Sequence, residues 1–333
     1  MPPTTKSSFA IVGGTTLLGK ELREVFEALP SAVNVSLIGN EEGTATGLAD
    51  DDGEAVVVNP LNVENLTSAT VLFLAGDEKS SKMAWDMVAL SKTKPFVVDL
   101  SGALSRVPGA QLRAPLVEAP GFEVLPHSVQ IVAHPAAVAL TILQQKLGMP
   151  LRSLSAHVFL PASEQGSEGI DELHQQTVNL LGFQNLPKTV FDSQLAFNLL
   201  AANGLEATAE KLLLVEDRVR AELRVLSPEV KPSIRCVQAP VFHCLSASLR
   251  LEFAEPVTPE ALVESLRGGL VDLWSDPDQG VPDQLSGVGE TGIVVGDLRP
   301  DPSAPNAYWL WLVADNLRLR AASAIATARI WLS

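Results

Sequence analysis

The sequence predicts a two-domain α/β protein, and three observations carry that prediction. At 333 residues with 46% hydrophobic side chains, the chain is long for a single core and apolar enough to bury two. Up to Pro135, short apolar runs alternate with amphipathic stretches, the texture of a parallel sheet flanked by helices. Beyond Pro135 longer helical stretches and strands follow without that alternation, which predicts a mixed α+β domain.

Taken in order, Phe9-Ala10-Ile11-Val12 is a short apolar run that ends at Gly13-Gly14. Leu17, Leu18, Leu22, Val25 and Phe26 follow at mostly helical spacing, so the segment reads as strand, glycine turn, helix. Apolar runs at 33–38, 71–74, 96–100 and 129–132 continue the sheet, with an amphipathic stretch at 80–91 between two of them. Residues 43–53, GTATGLADDDG, have the small and acidic composition of an exposed loop. In the second half the pattern predicts a helix at 136–147, a strand at 153–160, a long helix at 169–181 and a charged helix at 207–223. A strand pair at 234–244 and 246–253 follows, and an Ala-rich packed helix at 321–332 ends the chain. No internal repeat is visible.

Charge and cysteine content narrow the function classes. Lys and Arg number 24 against 39 Asp and Glu, a net charge of −15, which disfavours a nucleic-acid or anionic-membrane surface. No stretch approaches the roughly 18 apolar residues of a membrane helix, and the opening MPPTTKSSFAIVGG has too short an apolar core for a secretory signal, so the expected location is cytoplasmic. The two cysteines, Cys236 and Cys244, read as residues of one strand, where a rise of about 3.3 Å per residue puts them roughly 26 Å apart, beyond disulfide reach. They carry no nearby His at zinc-ligand spacing, and Asp50-Asp51-Asp52 lacks the glycine and distal glutamate of a calcium loop. No metal site is expected.

Gly13-Gly14-Thr15-Thr16-Leu17-Leu18-Gly19 reads as a degraded dinucleotide loop of a Rossmann-type domain, with Thr16 in the place of the middle glycine. Three further segments join it in order: Val97-Val98-Asp99-Leu100-Ser101-Gly102-Ala103, Ile131-Val132-Ala133-His134-Pro135-Ala136-Ala137, and Ala314-Asp315-Asn316-Leu317-Arg318 before Ala321-Ala322. Together these landmarks resemble the aspartate-semialdehyde dehydrogenase family over nearly the whole chain.

The resemblance implies specific site residues, and the chain departs from them. The family's Asn-Pro-Asn-Cys-Ser-Thr at a helix N-terminus, whose partial positive charge favours the nucleophilic thiolate, is matched by His134-Pro135-Ala136-Ala137-Val138-Ala139. Ala137 therefore stands for the catalytic cysteine. In Gln238-Ala239-Pro240-Val241-Phe242-His243-Cys244-Leu245-Ser246-Ala247, Gln238 stands for the carboxylate-binding arginine and Leu245 for the acid/base histidine, with His243 two residues away. The landmark Thr-Tyr-Gln-Ala-x-Ser-Gly-Ala-Gly aligns with Val158-Phe159-Leu160-Pro161-Ala162-Ser163-Glu164-Gln165-Gly166, which puts Leu160 at the substrate-orienting glutamine. Glu210 and Glu216 fit the phosphate-site helix while Leu212 takes its lysine position beside Lys211. The arginine after Asp-Leu-Ser falls at Ser105, beside Arg106.

The expectation is a homologue without the family's thioester chemistry, acting by binding to a metabolite or another subunit. The alternative is an active NAD(P)-dependent semialdehyde oxidoreductase of the aspartate pathway. Relocation of the nucleophile to Cys244 or Cys236 lacks a helix N-terminus and a basic partner. His134 could serve as a general base or could cap a turn; His127, His157 and His174 read as surface or satisfied histidines. Residues 1–135 with 316–333 form the Rossmann-type domain, and 136–315 the α+β domain that the resemblance implies is the dimerisation domain of a homodimer. The resemblance places any nucleotide on Gly13, Thr15, Thr16, Leu18 and Asn316. Asn40-Glu41-Glu42 after the second strand would repel a ribose 2′-phosphate, so the expected order is no nucleotide, then NAD, then NADP.

Overall fold

The computed structural model describes residues 7–29, 33–42, 46–51, 54–119, 121–125, 128–201 and 206–329. Its contacts divide the chain into two compact units, 1–133 with 320–333, and 134–319.

The first unit is built on β1 (Ser8–Val12), α1 (Leu17–Glu27), β2 (Asn34–Glu42), β3 (Gly47–Asp51), β4 (Glu54–Leu61), α2 (Val63–Thr67), β5 (Val71–Leu74), α3 (Glu78–Ala89), β6 (Phe96–Asp99), β7 (Gln111–Arg113) and β8 (Val129–Val132). The eight strands form one sheet in the order β3-β4-β2-β1-β5-β6-β8-β7, parallel throughout except for the β3–β4 pair. Strands buried on both faces need apolar residues at every position, and β1, β5 and β8 are buried almost end to end. On one face of β1, Phe9 packs with Phe26 of α1 and Phe73 of β5, ring centroids 5.4 and 6.4 Å away. On the other, Ala10 and Val12 join Ile38, Leu72 and Leu74 in a second core layer.

Two segments differ from the sequence expectation. The loop expected at 43–53 contains β3, an edge strand whose Gly47–Asp51 register lies antiparallel against Val58–Glu54. A short edge strand has one neighbour and needs little apolar content, so its composition resembles a loop. Asp52 and Gly53 lie outside the described residues. Helix α3 starts at Glu78, before the expected 80, because the Asp77 carboxylate accepts the Ser80 N–H at 2.7 Å and caps the turn.

The second unit holds α4 (Pro135–Leu147), β9 (Leu151–Leu160), α5 (Gly166–Leu181), α6 (Glu206–Leu226), β10 (Ser233–Gln238), β11 (Leu245–Phe253), α7 (Pro259–Leu266), β12 (Val271–Leu273), β13 (Ile293–Pro300), β14 (Ala307–Ala314) and the start of α8 (Asn316–Thr327). Its six-stranded mixed sheet runs β10-β9-β11-β14-β13-β12. One face carries Ala156, Val158, Leu160, Leu245, Ala247, Leu249, Leu310 and Leu312, all buried. Helix α4 packs on α6, α7, β12 and β13 and is buried on nearly every side, which explains why its sequence is apolar all round. The opposite face alternates out of phase and presents Ser155, His157, Phe159, Ser248, Arg250, Trp309 and Trp311.

The segments expected as a strand pair at 234–244 and 246–253 do not pair with each other. β10 stops at Gln238, and β9 lies between β10 and β11. Pro240 supplies no amide for a ladder, and Cys244 has a left-handed backbone at φ 63°, so 239–244 bends out of strand geometry. Cys236 and Cys244 consequently do not share a strand, and the spacing calculated along one does not apply. The last helix begins at Asn316 rather than 321, because Asp315 Oδ1 accepts the N–H groups of Leu317 and Arg318, both at 3.0 Å. The end of the expected 321–332 helix falls partly outside the described residues.

Candidate functional site at the N-terminus of helix α4

Strand β8 ends at Val132, and two residues later His134 becomes the N-cap of α4. Pro135 at the first helical position has no N–H to satisfy and a ring pre-set for helix, so the sequence starts the helix here. The His134 ring turns back and its Nδ1 accepts the Ala136 N–H at 3.1 Å. The lone pair on Nδ1 is thereby engaged, which puts the proton of the neutral ring on Nε2. Nε2 lies 3.7 Å from Glu164 Oε2. The His134 N–H donates to Glu222 Oε2 at 2.6 Å, and Glu222 is in turn paired with Arg218 at 2.7 Å.

The short turn Ala162–Gln165 that follows β9 positions Glu164. Its Oε1 accepts from Asn316 Nδ2 at 3.1 Å, and the Asn316 amide also meets the Ser163 hydroxyl. His134, Ser163, Glu222 and Asn316 are all buried, and the Glu164 side chain is 8% exposed. A side chain engaged in these hydrogen bonds through Nδ1 is a cap, the second of the two roles open to His134 from the sequence.

Ala137 is fully buried in the first turn of α4, its N–H on the His134 carbonyl at 2.9 Å and its own carbonyl accepting from the Thr141 hydroxyl at 2.7 Å. Leu160 and Gln238 meet at adjacent strand ends: they are paired in register, and Gln238 Nε2 donates to the Leu160 carbonyl at 2.9 Å. Leu245 opens β11, the other neighbour of β9, paired with Ala314 and buried. None of these four positions carries a side chain able to accept or release a proton near neutral pH.

The remaining histidines and cysteines are accounted for by their surroundings. His243 is exposed on the bent segment before β11 and does not share a strand face with Leu245. His157 and His174 are exposed on the surface, and His127 lies outside the described residues. Cys236 is buried on β10, with its N–H on Glu216 Oε1 at 2.9 Å. Burial first, then the charges of Glu216 and Glu164, push its thiol up to about 12 against the opposing pull of Arg220. Burial and Asp315 push Cys244 up to about 12 as well. Neither is a thiolate at neutral pH.

The other implied positions are scattered. Lys211 is exposed, with Nζ 3.4 Å from the Val190 carbonyl, and Leu212 is buried. Glu210 lies outside the residues whose side chains are described, while Glu216 serves β10 as above. Ser105 and Arg106 are exposed. Asp99 of the Asp-Leu-Ser landmark is buried and accepts from the N–H groups of Ser101, Gly102 and Leu104, so that landmark is a self-satisfied turn.

In the first unit, Gly13 has φ 76° and turns the chain out of β1. A Cβ on Gly19 would come within 2.1 Å of the Gly13 carbonyl, so both outer glycines of the loop serve close helix-to-loop packing. Thr16 caps α1: its hydroxyl accepts the Gly19 N–H at 3.0 Å and lies 2.8 Å from the Gly13 carbonyl and 2.9 Å from that of Ala75, donating its proton to one of them. Thr15 is half-buried and Leu18 buried. Asn316 belongs to the second unit and bonds to Ser163 and Glu164 there. Glu164 and Glu222 were not singled out from the sequence. The available signal was Glu164 itself, a charged residue at a glycine of the third landmark.

Comparison with known proteins agrees with this architecture. The chain is 29% identical to a USG-1 protein homolog of Pseudomonas aeruginosa, over 94% of each protein. It is 27% identical to an aspartate-semialdehyde dehydrogenase of Rickettsia bellii, over 96% of this chain and 95% of that one. A solved structure described as "a probable aspartate-semialdehyde dehydrogenase" from Pseudomonas aeruginosa superposes with a TM-score of 0.84 at 27% identity, covering 98% of both chains. The sequence profile of the semialdehyde dehydrogenase dimerisation domain matches residues 140–319, more than half of the chain and nearly all of the unit built around α4. With that match and the expected fold both present, the chain belongs to the aspartate-semialdehyde dehydrogenase family.

Proposed function

We propose that this chain is a non-catalytic member of the family that acts by binding, as a homodimer, in the cytoplasm. One observation carries the reading: Ala137, Leu160, Gln238 and Leu245, the residues matched to the nucleophile, the substrate-orienting glutamine, the arginine and the acid/base histidine, are all buried and uncharged. Thioester chemistry requires an attacking thiolate and a group to manage the proton. Both native thiols are raised to about 12, so neither Cys236 nor Cys244 stands in for the missing nucleophile. On this reading a Rossmann-type domain takes 1–135 with 316–333 and an α+β domain takes 136–315; the contacts divide the chain nearby, at 1–133 with 320–333 and 134–319.

The nucleotide follows the same logic. The fit is poor for NADP, because Thr16 adds a side chain where the loop pattern has its middle glycine and its hydroxyl is already engaged with Gly13, Gly19 and Ala75. The exposed Glu41 near the end of β2 adds negative charge where a 2′-phosphate would need the opposite. The order is no nucleotide, then NAD, then NADP. No helix among the described residues is long and apolar enough to cross a membrane.

Homodimerisation draws support from the profile's own description and from the open face of the second sheet, where Phe159 and Trp311 pack 5.8 Å apart beside Trp309. Sedimentation should give a dimer that Trp311→Glu shifts toward monomer; a monomer at micromolar concentration would remove this part of the reading. The second reading, an active NAD(P)-dependent semialdehyde oxidoreductase, rests on the relatives of that name. Assaying reduction of NAD and NADP with aspartate semialdehyde and phosphate separates the two. The expected result is no phosphate-dependent turnover, in the natural chain and in Ala137→Cys alike, since groups that act as a unit are not restored singly. Turnover that a named substitution abolishes would overturn it.

A further inference from the structure

A helix N-terminus leaves four N–H groups without helical partners and carries a partial positive charge, which together attract anions. At α4 every one of these groups is satisfied from within the chain. The N-cap N–H goes to Glu222, Pro135 has none, the Ala136 N–H goes to the His134 ring, and the Ala137 N–H goes to the His134 carbonyl. Two carboxylates from distant segments reach this end: Glu222 bonds directly to its first N–H, and Glu164 lies against the ring that caps it.

We propose that Glu164 and Glu222 are built-in anions that close the positive end of α4, so that this helix terminus no longer receives or activates an external anionic group. Glu164 falls where the third landmark has a glycine, a residue with no side chain to fill such a position. Its carboxylate is held on one side by Asn316 and lies on the other against His134, whose Nδ1 accepts the Ala136 N–H. Charged groups beside the cluster include Arg218 on Glu222, and Arg220 and Glu216 beside Cys236. Arg218 pairs with Glu222 and Arg220 with Glu216, and Glu164 is held by the Asn316 amide beside the His134 ring. A thiol placed in the first turn of α4 would share that turn with N–H groups already bonded within the chain and with Glu222 on the first of them, the reverse of what lowers a thiol's pKa.

The inference rests on the geometry of this unit and its test reads no turnover, so it can fail independently of the proposed function. The introduced thiol of Ala137→Cys serves as a reporter, alkylated by iodoacetate or by neutral iodoacetamide across pH, with the modified position identified by mass spectrometry. In Ala137→Cys alone the thiol should react at least tenfold more slowly than a free cysteine at neutral pH, most of all with the anionic reagent. Adding Glu164→Gly should raise the iodoacetate rate at least tenfold and lower the pH midpoint of the reaction. Glu164→Gln, which keeps the shape and removes the charge, should give a smaller rise and protects the test against a glycine variant that unfolds. Fast alkylation in Ala137→Cys alone, or rates in both Glu164 variants equal to the single variant, would overturn the proposal.

Discussion

Two helices in this chain start just after a buried strand, α1 behind β1 and α4 behind β8, and their first turns are closed in different ways. At α1 the closure is local: Thr16 bonds to Gly13 and Gly19, three residues to either side, with Ala75 as its one distant contact. At α4 the cap residue is local but the rest is not, since Glu222 lies 88 residues further on and Glu164 comes from the turn after β9. A local cap stabilises its helix whatever the rest of the domain does. A cap assembled from distant segments ties the helix start to the folding of the whole unit, and burying its charges is tolerable only while each keeps its partner.

Substitutions at the two starts should therefore differ in size and reach. His134→Ala removes a buried ring, the acceptor for the Ala136 N–H and the neighbour of Glu164, and should cost about 2–4 kcal/mol. Hydrogen exchange should show the loss spreading from α4 into α6 and the turn at 162–165; a loss confined to the first turn of α4 would reduce the contrast to ordinary capping. Glu222→Gln keeps an acceptor for the His134 N–H but weakens the Arg218 pair, so about 1–2 kcal/mol is expected, with faster exchange at His134 as the readout. Thr16→Ala should cost about 1 kcal/mol and accelerate exchange only at the start of α1. An effect of Thr16→Ala as large as that of His134→Ala would break the comparison.

The same division explains what could be read from the sequence. The parallel sheet of the first unit was legible because strands buried on both faces are continuous apolar runs such as Val71–Leu74. β3 was not, since an edge strand with one neighbour has no such requirement. The run from Ile234 to Cys244 looked like one strand because its apolar residues continue past Gln238; the break depends on Pro240 and on the left-handed backbone of Cys244, and only Pro240 is visible as a residue type. At the candidate site, the replacements at Ala137, Leu160, Gln238 and Leu245 could be named from order and spacing. The Glu222 partner of His134 could not, because nothing local marks it as the neighbour of a residue 88 positions away in the chain.

The open face of the second sheet has a practical consequence. It holds two of the chain's five tryptophans, Trp309 and Trp311, both only partly covered. An indole's emission depends on how much water surrounds it, so whatever docks on this face will shift the protein's own fluorescence. The chain carries an optical gauge of any association through this face, readable by simple dilution and without a label.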